Sequence, residues 1–579
     1  MNFQIEIDGV LTNIKSTQTL LEKCKEMGIN IPTLCHHEDL GSQKVCGICI
    51  VECNGELLKS CETYPEKNMV IKTKTAEITK KREEILKEIM KNHPNDCLTC
   101  EKSKGDCELQ NISFEYNIVN RNLLDLKKYE IDNSSSGITR NMNKCILCEK
   151  CVAICREVQG LGIYEVIETN GTKEIIIRDG KLLGDTECVS CGQCVKICPV
   201  GALTEKNSVT ELNRLLKNSE KHIVVQMAPA IKHTIGEEFF INPGVDATSK
   251  MVGALKKLGF DKVFSTDFSA DVTIMEEGTE LIERLIKGKG ELPMFTSCCP
   301  GWVNYVEQSY PNFIKNLSSC KSPQQMFGAL VKSYYSNKLN IPKEDIYVVS
   351  IMPCTAKKGE SERVEMQENG IKDVDLVITT REFAKLIKMN NIDFNSLPDD
   401  LTYDSFMGLG SSAGRIFGSS GGVMEAALRT VSHILTDGQL EIIEFKDLRG
   451  FENVKSAEII LGERKIKVAV INGIGSAKRI LDAIERKEIS FDFIEVMACY
   501  GGCISGGGAP IPDNLEVRKA RMKGMYSFDS NSTLRKSHEN IEVINLYKNY
   551  LKEPCGHKSH HILHTTYSNK IKVLNIKKV

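Results

Sequence analysis

Hydrophobic and polar residues alternate from the start of the chain, with Phe3, Ile5 and Ile7 spaced by two in "FQIEIDG". That period predicts a half-buried strand, and Asp8-Gly9 marks a hairpin turn. A short helix is expected over Thr17–Met27, and the charged "KTAEITKKREEILKEIM" reads as another. From about residue 220 the texture changes. "KHIVVQMAPAI" reads as a buried strand entering a loop, and "GALKKLGFDKVFSTDF" as helix, turn and strand. "DIYVVSIMPC" and "DVDLVITT" are apolar β-rich runs, and "IKVAVINGIGSAKRILDAIE" is strand, glycine turn and helix. Strands alternating with helical patterns predict an α/β region with largely parallel sheet, long enough for two lobes.

Length and composition narrow the class. The 579 residues suggest roughly four domains. A net charge of -2 gives no reason to expect nucleic acid or an anionic membrane as partner. No apolar run reaches the ~18 residues of a membrane span, and the N-terminus lacks the basic and apolar regions of a signal peptide. The expectation is a cytoplasmic protein.

Cysteine changes the picture most. Of 24 cysteines, 17 lie in the first 198 residues, many as C-x2-C pairs. In a reducing compartment that pattern favours metal binding over disulfides. Cys35, Cys46, Cys49 and Cys61 form C-x10-C-x2-C-x11-C, which suits a [2Fe-2S] cluster, with zinc as the physical rival. Cys24 and Cys53 are surplus and read as small buried side chains. His93, Cys97, Cys100 and Cys107 follow, a set that either zinc or a cubane would accept. Cys145, Cys148, Cys151 and Cys155 form one C-x2-C-x2-C-x3-C run; Cys188, Cys191, Cys194 and Cys198 form a second, closed by Pro199. This is the two-cluster ferredoxin signature, in which the fourth cysteine of each run ligates the other cluster. Cys198 then joins Cys145, Cys148 and Cys151 on one [4Fe-4S], and Cys155 joins Cys188, Cys191 and Cys194 on the other. Successive clusters move single electrons, so these modules read as a wire.

The wire needs an end. "NGIGSAKR" places Gly473 and Gly475 after a strand, but Lys478 stands where a dinucleotide fingerprint has its third glycine. The simpler reading is a tight strand-to-helix turn. Cys299 in "TSCCPGW", Cys354 in "MPCTAKKGE", and Cys499 and Cys503 in "EVMACYGGCISGGG" all follow strands or open turns. Ligands of open α/β folds sit at such strand ends. Together the four thiols could hold a further cluster, or be unrelated buried thiols. The nearby glycines would let backbone approach something bulky.

These three C-terminal motifs, with "HPNDCLTC" and the paired ferredoxin runs, resemble an [FeFe]-hydrogenase of the clostridial, monomeric, ferredoxin-dependent type over essentially the whole chain. The resemblance implies a multidomain α+β and α/β fold in four parts. They are a β-grasp, plant-type-like [2Fe-2S] ferredoxin domain at 1–78, a [4Fe-4S] domain with one histidine and three cysteine ligands at 79–125, a two-[4Fe-4S] ferredoxin domain at 126–209, and a two-lobed α/β H-cluster domain at 210–579. It implies that His93 ligates a [4Fe-4S] cluster with Cys97, Cys100 and Cys107, although the "EKSKGD" spacer is one residue longer than usual. It implies an H-cluster: a cubane on Cys299, Cys354, Cys499 and Cys503, the last bridging to a diiron subsite with CO, cyanide and azadithiolate.

The adjacent cysteines then take separate roles. Cys299 resembles the cubane ligand and Cys298 the family's proton-transfer cysteine, against a plain reading of Cys298 as a space-filling thiol. The implied proton route continues through Glu277, Ser318 and Glu280. Glu277 and Glu280 share one helical face by i,i+3 spacing, and without the resemblance both read as solvent-facing. Lys357, otherwise an ordinary surface lysine, would donate to a cyanide ligand. Ala228, Pro229, Gln324, Met352, Phe417 and Met497 match pocket positions around the diiron subsite. Ser505 and Ala509 stand where the family has Asn and Gln. Cys320 reads as buried and inert, or as linked to oxygen sensitivity. The His-rich "CGHKSHHILHTTY", which includes Cys555, reads as an adventitious metal binder or a segment packed on the catalytic domain.

The implied activity is that of an iron hydrogenase catalysing reversible 2 H+ + 2 e- to H2. Its expected partners are ferredoxin or flavodoxin and maturation proteins for the diiron subsite, around a monomer. The rival readings are a hydrogenase-like sensory or iron–sulfur assembly protein, and a relay subunit for NADH oxidation.

Overall fold

The computed structural model describes residues 2–102, 105–119, 129–438, 443–461 and 464–571. Its internal contacts divide the chain into two compact units. The first comprises residues 1–157, 162–186 and 193–204; the second comprises 158–161, 187–192 and 205–579.

In the first unit the opening alternation forms the predicted hairpin, β1 (Asn2–Ile7) and β2 (Val10–Lys15), with Ile7 opposite Val10. Helix α1 (Leu20–Glu26) begins three residues later than expected. The reason is a capping box: the Thr19 hydroxyl accepts the Glu22 N–H, and the Glu22 carboxylate accepts the Thr19 N–H. Strands β3 (Ile50–Cys53), β4 (Glu56–Lys59) and β5 (Val70–Lys72) complete a mixed sheet of order β2-β1-β5-β3-β4. Ile5, Ile7, Ile14, Leu20, Val51 and Ile71 fill the space between this sheet and α1, joined there by Cys24 and Cys53. Helix α2 (Ala76–Lys91) follows.

The second unit carries two sheets. β6 (His222–Met227), β7 (Lys262–Ser265), β9 (Ile346–Met352) and β10 (Leu376–Thr379) form an all-parallel sheet of order β7-β6-β9-β10. Helices cover both faces of such a sheet, which is why its strands read as unbroken apolar runs. Val224, Val225, Val263, Phe264, Val348 and Val349 are fully buried. β8 (Met294–Phe295), β11 (Val454–Leu461), β12 (Arg464–Asn472) and β13 (Phe493–Met497) form the other sheet, of order β8-β13-β12-β11. It is parallel except for its β11–β12 edge hairpin. A 22-residue helix, α3 (Thr266–Lys287), follows β7 directly, so the strand expected to run through "VFSTDF" stops at Ser265. The Ser265 hydroxyl caps the helix by accepting the Asp267 N–H at 3.0 Å. Among the described residues no helix is long and apolar enough to cross a membrane.

Candidate active site

Each sheet ends its strands in a chemistry-bearing loop. β6 delivers Ala228 and Pro229, β9 delivers Pro353 and Cys354, β8 leads to Cys298 and Cys299, and β13 leads to Cys499 and Cys503. All line one cavity, joined by Gln324, Met352, Lys357, Phe417 and Met497. Every cluster-ligand, proton-donor and pocket residue expected in this part of the chain therefore borders the same space, apart from Glu277, Ser318 and Glu280. The cavity admits the centre of a water-sized sphere over about 80 Å³.

Local geometry explains how the thiols meet. Cys299 precedes Pro300 at the first turn of a helix, where a missing N–H costs nothing. The Ala498 N–H points at Cys299 Sγ, 3.5 Å away. The glycine run allows a close approach. A Cβ on Gly506 would lie 1.9 Å from the Pro353 carbonyl oxygen, and one on Gly502, whose φ is +87°, would lie 2.5 Å from the Ser420 nitrogen. The bulky neighbour is backbone, and glycine packs the Cys503 turn directly onto the turn that carries Cys354.

The thiols resist ionisation. Burial raises Cys503 well above the ordinary thiol range, and Cys354, Cys299 and Cys499 add repulsion. Burial, then Cys499 and Cys299, pushes Cys354 up to about 12. Four sulfurs this close and this dry become thiolates only when a cationic centre shares them. Lys357 Nζ donates to the Cys298 carbonyl at 3.1 Å, to Ser322 Oγ at 2.7 Å and to Glu360 Oε2 at 2.8 Å. Gln324 Nε2 donates to the same Glu360 oxygen at 3.0 Å, while its buried Oε1 has no protein partner. A set of clustered thiols with one fixed ammonium beside them fits an iron–sulfur cluster extended by anionic ligands. Glu360 and Ser322, which position Lys357, were missed in the sequence. The i,i+3 spacing of Lys357 and Glu360 in "TAKKGE" was the available signal.

The proton-route residues lie on α3 and the loop after Phe313. Glu277 is 1% exposed, against the solvent-facing reading of its sequence. Burial, then the Glu280 charge, raises its pKa from 4.5 to about 8, against weaker opposing hydrogen bonds from the Ser318 hydroxyl and the Ser297 backbone. Cys298 is raised by burial and then by Glu277. Ser318 Oγ donates to Glu280 Oε2 at 2.8 Å, and Arg284 donates to Glu280 Oε1 at 2.5 Å. Ser505 donates to Asp513, and neither it nor Ala509 lines the cavity.

In the first unit Cys35 and Cys46 bring their sulfurs to 3.3 Å, and Cys49 hydrogen-bonds Cys61. His93, Cys97, Cys100 and Cys107 lie at the end of α2 and in the segment after it, and the Cys97 and Cys100 charges reach Cys107. The spacer before Cys107 falls partly outside the described residues. Cys145, Cys148, Cys151 and Cys198 line one small cavity. Ile163 N–H points at Cys155 Sγ at 3.5 Å, and the Tyr164 hydroxyl contacts Cys194 Sγ at 3.3 Å. Cys188, whose sulfur accepts the Ser190 N–H at 3.4 Å, and Cys191 belong to the second unit.

Cysteine-rich redox modules ahead of a buried thiol cavity define an iron–sulfur enzyme. Comparison with known proteins identifies it further. "Iron only hydrogenase large subunit, C-terminal domain" matches residues 221–507, and "Iron hydrogenase small subunit" matches 515–570. A 2Fe-2S binding domain matches 1–76, the iron–sulfur binding region of NADH-ubiquinone oxidoreductase-G matches 82–121, and a 4Fe-4S dicluster domain matches 144–202. The NADP-reducing hydrogenase subunit HndD of Solidesulfovibrio fructosivorans is 43% identical, over 97% of this chain and 98% of its own. Iron hydrogenase 1 of Clostridium pasteurianum is 40% identical over 97% and 99%. An apo [FeFe]-hydrogenase structure from Chlamydomonas reinhardtii superposes with a TM-score of 0.57 at 39% identity, covering 63% of this chain and 99% of that one.

The chain belongs to the iron-only, or [FeFe], hydrogenase family. It is an iron hydrogenase with an H-cluster-type domain and an iron–sulfur electron relay. One expectation is corrected. Assignment to the monomeric, ferredoxin-dependent clostridial type fails, because a full-length relative of higher identity than the clostridial enzyme is by name a subunit of an NADP-reducing hydrogenase.

Proposed function

We propose that Cys299, Cys354, Cys499 and Cys503 hold the H-cluster cubane, with Cys503 bridging to a diiron subsite installed by dedicated maturation proteins. The observation that carries this reading is the cavity at the strand ends, where five thiols line one space with one buried, fully bonded lysine. When bound, the cluster supplies the iron, CO, cyanide and azadithiolate chemistry that interconverts protons, electrons and H2.

The chain's own residues supply and withhold protons. Cys298 Sγ exchanges a proton with the cavity and with Glu277, which the fold keeps neutral at pH 7. Ser318 relays between Glu277 and Glu280, and Arg284 fixes Glu280. Lys357, held by Glu360, Ser322 and the Cys298 carbonyl, would be the donor available to a cyanide ligand of the bound cluster. Ala228, Pro229, Met352, Phe417 and Met497 exclude water, which strengthens that bond. One [2Fe-2S] sits on Cys35, Cys46, Cys49 and Cys61. The His93 set and the two ferredoxin sets would hold three accessory [4Fe-4S] clusters, within the domain partition at residues 78, 125 and 209, of which 125 lies outside the described residues. Electrons exchange there with a one-electron iron–sulfur carrier of ferredoxin chemistry. The likeness to a subunit named for NADP reduction supports a carrier borne on a partner subunit that handles the nicotinamide.

The test is H2 evolution by anaerobic, matured protein supplied with reduced methyl viologen. Cys298→Ala is expected to lose at least ~100-fold in rate, the lower range for a lost proton-transfer group, with cluster spectra unchanged. A parent-like rate in the variant overturns the proton role, and a matured parent without H2 evolution overturns the active-site reading.

A further inference from the structure

α3 carries a third glutamate that the hydrogenase reading does not use. Glu276 is fully buried and faces the C-terminal segment rather than the cavity. Its Oε2 meets His564 Nε2 at 3.0 Å and the Cys555 N–H at 2.6 Å, and its Oε1 accepts the Tyr547 hydroxyl at 2.5 Å. Cys555 Sγ, Glu276 carboxylate oxygen and His564 ring nitrogen lie within 4.8 Å of one another. We propose that Glu276, Cys555 and His564 form a site for a zinc-type divalent cation that ties the C-terminal helix His557–Leu563 to α3.

Three arguments support it. The donor set, one thiol, one imidazole and one carboxylate, is that of tetrahedral zinc with a fourth position open. The 3.0 Å between carboxylate and imidazole is close to the edge of a tetrahedron with bonds of about 2.0 Å, roughly 3.3 Å, so both groups already stand as neighbouring ligands. The outer contacts that orient ligands are also present. His564 Nδ1 meets Ser319 Oγ at 2.8 Å, and Tyr547 holds the far carboxylate oxygen. A serine hydroxyl both donates and accepts. When the metal takes Nε2, the ring proton moves to Nδ1 and the serine contact survives, while Cys555 gives up its thiol proton. Cys555 is partly exposed, and His564 borders a solvent-filled cleft, so the cation has a way in.

A competing arrangement uses the same imidazole, with Glu280 and Cys320 also offering ligand atoms within 4.8 Å of one another and of His564. The Cys555 side is favoured because Cys320 is fully buried. The holoprotein, with its clusters in place, is equilibrated against zinc chloride, dialysed, and assayed for zinc per chain. The parent is expected to retain one zinc more than Cys555→Ser and His564→Gln. The absorption-edge fine structure of that difference should contain one Zn–S distance of about 2.3 Å and Zn–N/O distances of about 2.0 Å. His561→Ala, on the exposed face of the same helix, should keep the zinc. Iron content and thermal midpoint establish that each variant is folded. Equal zinc in the parent and both site variants leaves only an adventitious ion on exposed histidines and overturns the proposal. So does loss in Cys320→Ser but not in Cys555→Ser.

Discussion

At the scale of single residues, the decisive quantity is the protonation of Glu277. A carboxylate buried this deeply holds its proton, and a second carboxylate three residues on adds to the effect, together outweighing the hydrogen bonds from Ser318 and Ser297. The linkage has a definite sign. Unfolded, Glu277 releases its proton near 4.5; folded, near 8. Between those values the folded chain binds the extra proton, so this residue makes stability fall as pH rises, with no further change below or above the window. Glu277→Gln should flatten that slope. Its thermal midpoint, compared with the parent at pH 5 and pH 8, should gain on the parent only at pH 8. The same variant should evolve H2 at least ~100-fold more slowly, because an amide cannot release the proton. A variant that tracks the parent at both pH values would mean that Glu277 is ionised in the fold. The sequence did not show this state. Glutamate is seldom buried unpaired, so residue type argues for solvent, and only α3 packing in the second unit reverses it. The cysteine sets were different. The two ferredoxin runs repeat one C-x2-C-x2-C-x3-C spacing and so point to clusters from sequence alone, whereas the spacing of Cys299, Cys354, Cys499 and Cys503 left a cluster and unrelated thiols equally open.

At the scale of elements, the active cavity depends on how two turns touch. The loops after β9 and β13 come from different sheets, and Gly506 lets them meet at backbone contact. Adding one methyl group at Gly506 puts it 1.9 Å from the Pro353 carbonyl, where neither partner is a flexible side-chain end. Gly506→Ala should push the Cys503 turn away from Cys354. Iron bound in the second unit should fall, H2 evolution should drop more than ~100-fold, as for loss of a positioned catalytic group, and the spectra of the N-terminal clusters should persist. Full iron content with unaltered activity would show that the turns are not held by this contact. The strands and helices that present these loops were largely legible, because apolar runs of strand length alternate with 3.6-residue periodicity. The pairing of loops from two sheets was not, since it depends on strand order, which periodicity does not encode. Glycine was read as letting backbone approach something bulky, and at Gly506 that neighbour is another loop.

At the scale of the whole molecule, the question is where electrons leave the chain. The "NGIGSAKR" turn bears on it. Gly475 sits where a Cβ would lie 2.5 Å from the Val158 carbonyl oxygen, and Gly160 closes on the same spot. Gly475, which a dinucleotide fingerprint would use for close approach to a pyrophosphate, is here packed against the chain's own backbone. This turn is therefore not the place for a nicotinamide, and the proposed nicotinamide-handling partner subunit can be tested directly. The purified, matured chain should evolve H2 from reduced methyl viologen yet oxidise NADPH at less than ~1% of that rate, the residue of nonspecific reduction when no hydride-accepting cofactor is bound. Adding the cell extract depleted of this chain, with NADPH as sole reductant, should restore H2 evolution if a partner subunit carries the nicotinamide chemistry. Evolution that instead requires a small reduced iron–sulfur protein, and ignores NADPH with extract present, would assign the exchange to a free carrier. NADPH oxidation by the isolated chain would overturn the reading of the glycine turn and reopen it as a cofactor site.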